Sequence, residues 1–146
     1  MIALRERGFT LLELLVTMVI MVAIVGLAVP QFSRAMLNIQ LRESTQEIAA
    51  LLRHAKNTAV TQSKLASVVL QVEGNVLQPD FGKPAYKWPN EISVEAVNNV
   101  EPWLIEDTVI RFYPDGTASQ AVLTVSAQEK FYTVSVDWLT GRIRVR

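Results

Sequence analysis

Residues 8–30 read GFTLLELLVTMVIMVAIVGLAVP, and Glu13 is the one charged side chain in this run. At about 1.5 Å of rise per residue, a helix over 9–29 spans roughly 30 Å, which is the thickness of a bilayer's hydrocarbon core. The sequence therefore predicts a transmembrane helix over residues 9–30 as the first element of the fold.

The charges before the apolar run predict its orientation. Residues 1–8, MIALRERG, carry two arginines against one glutamate. Because positive flanks stay on the cytoplasmic side, we expect residues 31–146 on the far side of the membrane. The run does not resemble an ordinary signal peptide, because Pro-Gln-Phe-Ser follows Val29 where a small-residue cleavage site would stand.

Glu13 makes insertion of the helix into the membrane less favourable, so it is unexpected in a segment that only anchors the chain. A carboxylate near the centre of a transmembrane helix costs about 2.5–3.5 kcal/mol on insertion scales. Leucine at this position would anchor the chain more stably. The acid therefore indicates a functional residue that needs a partner.

The segment Gly8-Phe9-Thr10-Leu11-Leu12-Glu13-Leu14 resembles the cleavage motif of type IV pilins and their relatives. The resemblance implies that residues 1–8 are a leader peptide, that a prepilin peptidase cuts after Gly8, and that the same enzyme methylates the new N-terminal Phe9. It also implies that Glu13 pairs with the N-terminal amine of a neighbouring subunit. A proline at position 30 fits the same family, whose helix loosens at Pro30 on assembly.

Beyond Pro30 the pattern stays helical and becomes amphipathic. Apolar residues recur at spacings of three and four, which predicts a helix to about Gln62 with one face against a sheet. The positions of this stripe are Phe32, Met36, Ile39, Ile48, Leu52, Ala55 and Ala59.

From Ala66 onward the apolar period changes to two, which is typical of strands. The candidate strands are 67–72, 76–78, 92–97, 109–113, 122–125, 131–136 and 142–145, and the turn signals are 73–75, 114–116 and 139–141. Residues 79–90 contain three prolines and predict a loop. The expected fold class is α+β, a long N-terminal helix packed on an antiparallel sheet or sandwich of about seven strands, as in pilins.

Composition excludes several classes of function. Lys plus Arg balances Asp plus Glu at 14 each, so the chain is not a globally basic nucleic-acid binder, although a local basic patch stays open. There is no Cys, and His54 is the one histidine. Without a phosphate-binding glycine loop or a nucleophile elbow, we predict no enzyme, no cofactor and no metal.

Two C-terminal segments extend the resemblance. IRFYPDGTAS over 110–119 and VDWLTGRI over 136–143 are similar to the GspH/FimT group of minor pilin-like proteins, and most similar to the type II secretion pseudopilin H. This implies a minor pseudopilin, at or near the tip of the pseudopilus, that helps to export folded proteins across the outer membrane. The implied location is the bacterial inner membrane as a single-pass protein, with residues 31–146 in the periplasm, and the pseudopilus after assembly. The implied partners are other minor and major pseudopilins, the prepilin peptidase, the inner-membrane assembly platform and membrane lipid.

The C-terminal arginines form an Arg row, which we define as Arg142, Arg144 and Arg146. On a strand these side chains share one face and lie roughly 6.6 Å apart, while Ile143 and Val145 point inward. The Gly-Arg-x-Arg pattern resembles the DNA-binding element of FimT-type minor pilins, which implies an alternative function: a type IV pilus minor pilin that binds DNA for natural transformation. The other interpretation is an edge strand that charge protects from pairing with another sheet.

The proline-rich segment 79–90 contains Phe81, Tyr86 and Trp88. Aromatic side chains are enriched at interface hot spots, so these three residues are candidates for a partner interface. The alternative interpretation is that they cap the end of the core.

Overall fold

The computed structural model describes residues 9–97 and 108–146, with the side chains of 27–34 outside the description. The predicted leader 1–8 lies outside the described residues. The chain divides into two units, residues 1–36 and residues 37–146. A single helix, α1, extends over Leu11–Gln62 and so belongs to both units.

The end of α1 agrees with the predicted end, and a local backbone motif accounts for it. Ser63 adopts the left-handed conformation with φ of 51°. The backbone N–H of Lys64 then donates to the carbonyl oxygen of Ala59 at 3.2 Å. This is the pattern of a Schellman C-cap, which satisfies carbonyl groups that the end of a helix leaves free.

The part of α1 in the second unit buries one stripe of side chains. Ile48, Leu52, Ala55 and Ala59 are fully buried, as the spacing predicts. The prediction is wrong for Met36 and Ile39, which are exposed by 47% and 53%, and the side chain of Phe32 lies outside the described residues. The buried face begins instead with Leu41, which stands on the same face as Ser44, Thr45 and Ile48.

The described residues form eight strands. In chain order they are β1 Ala66–Gln71, β2 Val76–Pro79, β3 Tyr86–Lys87, β4 Ser93–Ala96, β5 Thr108–Phe112, β6 Ala121–Ala127, β7 Lys130–Val136 and β8 Ile143–Val145. They make two antiparallel four-stranded sheets with the orders β3-β2-β1-β5 and β4-β6-β7-β8. The fold is therefore the predicted α+β class, with a sandwich of two sheets.

The strand β3 corrects the prediction of a loop over 79–90. It pairs with β2 through the partners Leu77 and Tyr86. Pro84 and Pro89 flank the two-residue strand rather than interrupting it, and Pro79 is the last residue of β2. A proline outside an edge strand removes no ladder hydrogen bond from that strand. A strand this short has no alternation that a sequence pattern can detect.

One hydrophobic core joins α1 to the inner faces of both sheets. The inward positions of β6, at 121, 123, 125 and 127, are all buried, and the positions between them are half-buried. Phe112 and Trp88 are the largest fully buried side chains in the described part of the chain. The outer face of the second sheet is consequently free to carry polar and charged residues.

Candidate assembly and docking surfaces

The first turn of α1 is capped by a local motif that positions Glu13. The Thr10 hydroxyl oxygen accepts a hydrogen bond from the Glu13 backbone N–H at 3.2 Å, and the Thr10 carbonyl accepts from Leu14 N–H at 3.2 Å. Thr-x-x-Glu is the spacing of a capping box, and a carboxylate in the first turn also favours the helix dipole. This capping motif was not predicted, although the Thr-x-x-Glu spacing over residues 10–13 indicates it.

Residues 9–26, which belong to the first unit, present a largely apolar surface. Every side chain from 9 to 26 is exposed, and Phe9, Leu11 and Val22 are exposed by 79%, 84% and 74%. Apolar surface this extensive is not kept in water by soluble proteins, so it is a contact surface for lipid or for other apolar helices.

Within the predicted membrane span, the structure describes the side chains of residues 9–26. Among the side chains described, no helical stretch combines the length and the hydropathy that crossing a bilayer requires. The side chains of residues 27–30 of the predicted span lie outside the description, and Gly8 lies outside the described residues altogether. The α1 backbone is helical on both sides of position 30.

The three candidate interface aromatics have different environments. Trp88 is 2% exposed and belongs to the core, so its ring is not on the surface of the domain. Tyr86 is half-buried, and its hydroxyl donates to the Ser44 hydroxyl oxygen on α1 at 3.1 Å. Phe81 is half-buried and its ring lies 5.6 Å from the His54 ring. Capping of the core therefore accounts for Trp88, while Phe81 and Tyr86 keep partial exposure.

The turn at 137–141 is a rigid structure that holds two apolar side chains out to solvent. The Asp137 carboxylate accepts from the backbone N–H of Leu139 and from both the N–H and the hydroxyl of Thr140, at 2.9–3.2 Å. The Gly141 N–H donates a hydrogen bond to the Asp137 carbonyl oxygen at 2.8 Å, which closes the turn. Trp138 and Leu139, at the tip, are exposed by 58% and 59%.

The same turn is attached to the helix and to the neighbouring turn. The Lys56 ammonium group on α1 donates to the Thr140 carbonyl at 2.7 Å. The Ala118 N–H, just after the Pro-Asp-Gly turn, donates to the Trp138 carbonyl at 2.9 Å. The two C-terminal sequence motifs thus meet in space, where they join the ends of the two sheets and α1.

Both turns carry a carboxylate whose ionised form is stabilised by hydrogen bonds. Donation from the Thr117 side chain and backbone lowers the pKa of Asp115, and donation from the Thr140 backbone and side chain lowers the pKa of Asp137, with Arg144 adding a smaller attraction. Because the pKa is lower in the folded state, each carboxylate stabilises the fold above its unfolded pKa. That stabilisation is lost as the pH falls through the folded pKa.

Arg144 lies on β8, an edge strand of the second sheet, and Arg142 and Arg146 directly precede and follow this strand. All three arginines are exposed, whereas Ile143 is 9% exposed and belongs to the core. Val145 pairs with Val134 on the inner side but is 38% exposed, because the free edge leaves it uncovered. Within 9–97 and 108–146, the guanidinium groups of Arg142 and Arg146 have no hydrogen bond or ion pair.

A shallow cleft of about 290 Å³ lies beside the Arg row on the outer face of the sheet. It is lined by Gln120, Val122, Ser135, Val136, Asp137, Trp138, Arg142 and Arg144. The register explains this grouping, because Val122 pairs with Ser135 and Ser135 pairs with Arg144 across three adjacent strands. The arginines were predicted as a candidate site from the sequence, but Trp138 was not, because its exposure depends on the geometry of the turn.

The described residues offer no obvious metal site. Within 9–97 and 108–146, no three His, Asp or Glu side chains stand together as a metal ion would need. The surfaces that remain suit contacts with lipid, protein or nucleic acid.

Solved structures share this fold at low sequence identity. The type IV minor pilin FimU of Pseudomonas aeruginosa superposes with a TM-score of 0.59 at 17% identity, over 75% of this chain and 90% of its own. The minor pseudopilin EpsH from the type 2 secretion system of Vibrio cholerae superposes with a TM-score of 0.57 at 12% identity, over 73% of this chain and 96% of its own. At such identities the likeness concerns the fold.

Two family models match the sequence, whereas no curated protein does. The prokaryotic N-terminal methylation motif matches residues 3–29. The model described as type II transport protein GspH matches residues 44–140, which include most of the buried helix stripe and both C-terminal turns. Since that match covers about two thirds of the residues, the chain belongs to the GspH family of pilin-like proteins.

Proposed function

We propose that this protein is a minor pseudopilin of a type II secretion system, incorporated at or near the tip of the pseudopilus. The observation that carries the proposal is the pairing of a GspH match over 44–140 with an N-terminal methylation motif over 3–29. The protein is a filament component in this proposal, and the work of export is done by the assembled pseudopilus.

In this proposal the N-terminal segment lies first in the inner membrane and then among the helices of the assembled pseudopilus. Before assembly, residues 9–29 hold the chain in the inner membrane, with 31–146 in the periplasm. A prepilin peptidase removes residues 1–8 after Gly8 and methylates Phe9, and the inner-membrane platform then transfers the helix from lipid into a bundle of pseudopilin helices. The exposed apolar surface over 9–26 suits both environments, because lipid tails and packed helices are equally apolar.

In this proposal, pairing of Glu13 sets the axial position of each helix relative to its neighbour in the filament. The Thr10 cap fixes the first turn of α1, so the Glu13 carboxylate leaves the helix at a defined height. In the apolar filament interior an unpaired carboxylate is costly, and the free amine of a neighbouring mature chain is the partner that removes the cost. Only one axial offset between the two helices brings these groups together.

A Glu13→Val variant is expected to insert into the membrane normally but to enter filaments at least about tenfold less, because the amine of its neighbour loses its partner. Membrane fractionation and quantification in sheared filaments measure the two steps. Thr17→Val is the matched control, since the Thr17 hydroxyl is already satisfied by the Leu14 carbonyl within the helix. Equal incorporation of both variants would contradict the pairing.

Deletion of the gene tests the proposed function directly. We expect a normally secreted enzyme to disappear from the culture medium and to accumulate in the periplasm, because export stops at the outer membrane. Re-expression of the full chain should restore secretion. Normal secretion by the deletion strain would contradict the proposal.

The alternative function, DNA binding by a type IV pilus minor pilin, is favoured by one observation. The Arg row is exposed on an edge strand with Trp138 beside it, and basic groups with an aromatic platform suit single-stranded nucleic acid. In this alternative the deletion strain secretes normally but takes up less DNA.

A further inference from the structure

The edge strand β8 has one side of its backbone free for another strand. Thr133 and Arg146 exchange both backbone hydrogen bonds, and Asp137 N–H donates to the Arg142 carbonyl at 3.0 Å. Because hydrogen-bonded pairs alternate in an antiparallel ladder, the peptide groups of Ile143 and Val145 point away from β7. In the part of the chain that the structure describes, no strand pairs with that side.

The side chains around this free edge carry more positive than negative charge. Arg142 and Arg144 line the cleft, and Asp137 is the one acid among the lining residues. Arg146 continues the same face by pairing with Thr133. An incoming strand that placed Asp or Glu at alternate positions would meet these arginines while its backbone paired with Ile143 and Val145.

Apolar groups border the charged row. Trp138 is exposed by 58% on its rigid turn, and Val145 by 38% at the free edge. Trp and Arg are the residues most enriched at protein interface hot spots, where an aromatic anchor lies close to a charge-paired group. Because the Asp137 hydrogen bonds already fix the turn, little conformational entropy would be lost when Trp138 is covered.

We propose that the free edge of β8, with the Arg row and Trp138, binds an acidic β-strand of another pseudopilus subunit. The inference rests on the proposed function, which supplies the neighbouring subunits. A protein strand suits the site better than nucleic acid, because the free N–H and C=O groups of Ile143 and Val145 can pair with another backbone and because Val145 offers an apolar contact next to that pairing. The contact is a β-strand addition whose charge pattern selects the partner.

Photo-cross-linking in cells that carry the whole secretion machinery tests the proposal. The full chain is produced with benzoylphenylalanine in place of Trp138, and the adduct is identified by peptide mass spectrometry. The expected adduct lies in a strand segment of another pseudopilin that carries at least two Asp or Glu residues at alternate positions. A nucleic-acid adduct would support the DNA-binding alternative and overturn the proposal, as would a lipid adduct or no adduct.

Charge variants show whether the Arg row carries the contact. Arg142→Glu with Arg144→Glu should reduce the adduct at least about tenfold, because like charges then face each other. Arg144→Lys should keep most of it, and reversal of the identified partner acids should restore the adduct of the double variant. Arg111→Glu is the matched control, since Arg111 is also an exposed arginine on an edge strand, β5, of the other sheet. An adduct unchanged by the double reversal would contradict the proposal.

A secretion assay in the same strains distinguishes failure of the proposed function from failure of the docking proposal alone. If deletion of the gene leaves secretion normal, the proposed function fails, whatever the cross-link. If deletion stops secretion but the double Arg→Glu variant secretes and cross-links like the original chain, the docking strand alone is wrong. Near-ultraviolet circular dichroism of the purified full-length variant verifies that the fold is intact.

Discussion

A Gly141→Ala variant is expected to lose about 3 kcal/mol of unfolding free energy. Gly141 has φ of 56°, and a Cβ there would lie 2.6 Å from the Gly116 carbonyl oxygen and 3.3 Å from the Lys56 side chain. Real side chains do not tolerate a 2.6 Å contact with backbone, so the two turns would have to separate. Separation would weaken the hydrogen bonds that join α1 to both sheets.

Urea denaturation of the full chain in detergent, followed by tryptophan fluorescence, measures this loss. Gly82→Ala is the matched control, because Gly82 also has a positive φ, 77°, but has no atom within 4 Å of an added Cβ. The control should lose about 1 kcal/mol from backbone strain alone. Equal losses in the two variants would contradict the role of the crowded contact between the turns.

A Gly8→Ala variant is expected to remain entirely as the uncleaved precursor. Gly8 is the residue after which the peptidase is proposed to cut, by resemblance to pilins, and we expect the added methyl group to prevent cleavage there. Mass spectrometry of the N-terminus measures the result: the mature chain begins with N-methylated Phe9, whereas the precursor keeps residues 1–8.

Gly26→Ala provides the control for that experiment. Gly26 lies in the same apolar segment and has no atom within 4 Å of an added Cβ, so the substitution changes the helix composition without changing its contacts. This variant should be cleaved and methylated normally. Normal cleavage of Gly8→Ala would contradict the assignment of the leader peptide.

Features with a regular period were predictable from the sequence. The helix end at Gln62 and the stripe from Ile48 to Ala59 follow from the 3.6-residue repeat, and the strands β1 and β6 follow from strict alternation. The start of the stripe was predicted wrongly, because Met36 and Ile39 are apolar but lie on an exposed face of the helix. A periodic pattern shows that an apolar face exists, but packing against the sheets decides where burial begins.

Features made by distant residues were not predictable. The Lys56–Thr140 hydrogen bond joins residues 84 positions apart, and the sequence around neither residue predicts the other as its partner. Trp88 illustrates the same limit, because the sequence left both a partner interface and capping of the core open for this residue, and only the folded structure shows that its ring is buried. The Arg row was readable as an alternating pattern, but the cleft beside it depends on three strands in register.

The position of β5 has a consequence for how the domain folds. Its chain neighbours β4 and β6 both belong to the second sheet, yet β5 pairs with β1 in the first, through partners such as Ala66 and Phe112. Closing that pair requires most of the domain sequence to be available, since the loop between them includes β2, β3 and β4. In the proposed orientation, with the N-terminus in the cytoplasm, the first sheet would therefore stay incomplete until β5 has crossed the membrane, and β4 would have no partner strand until β6 follows.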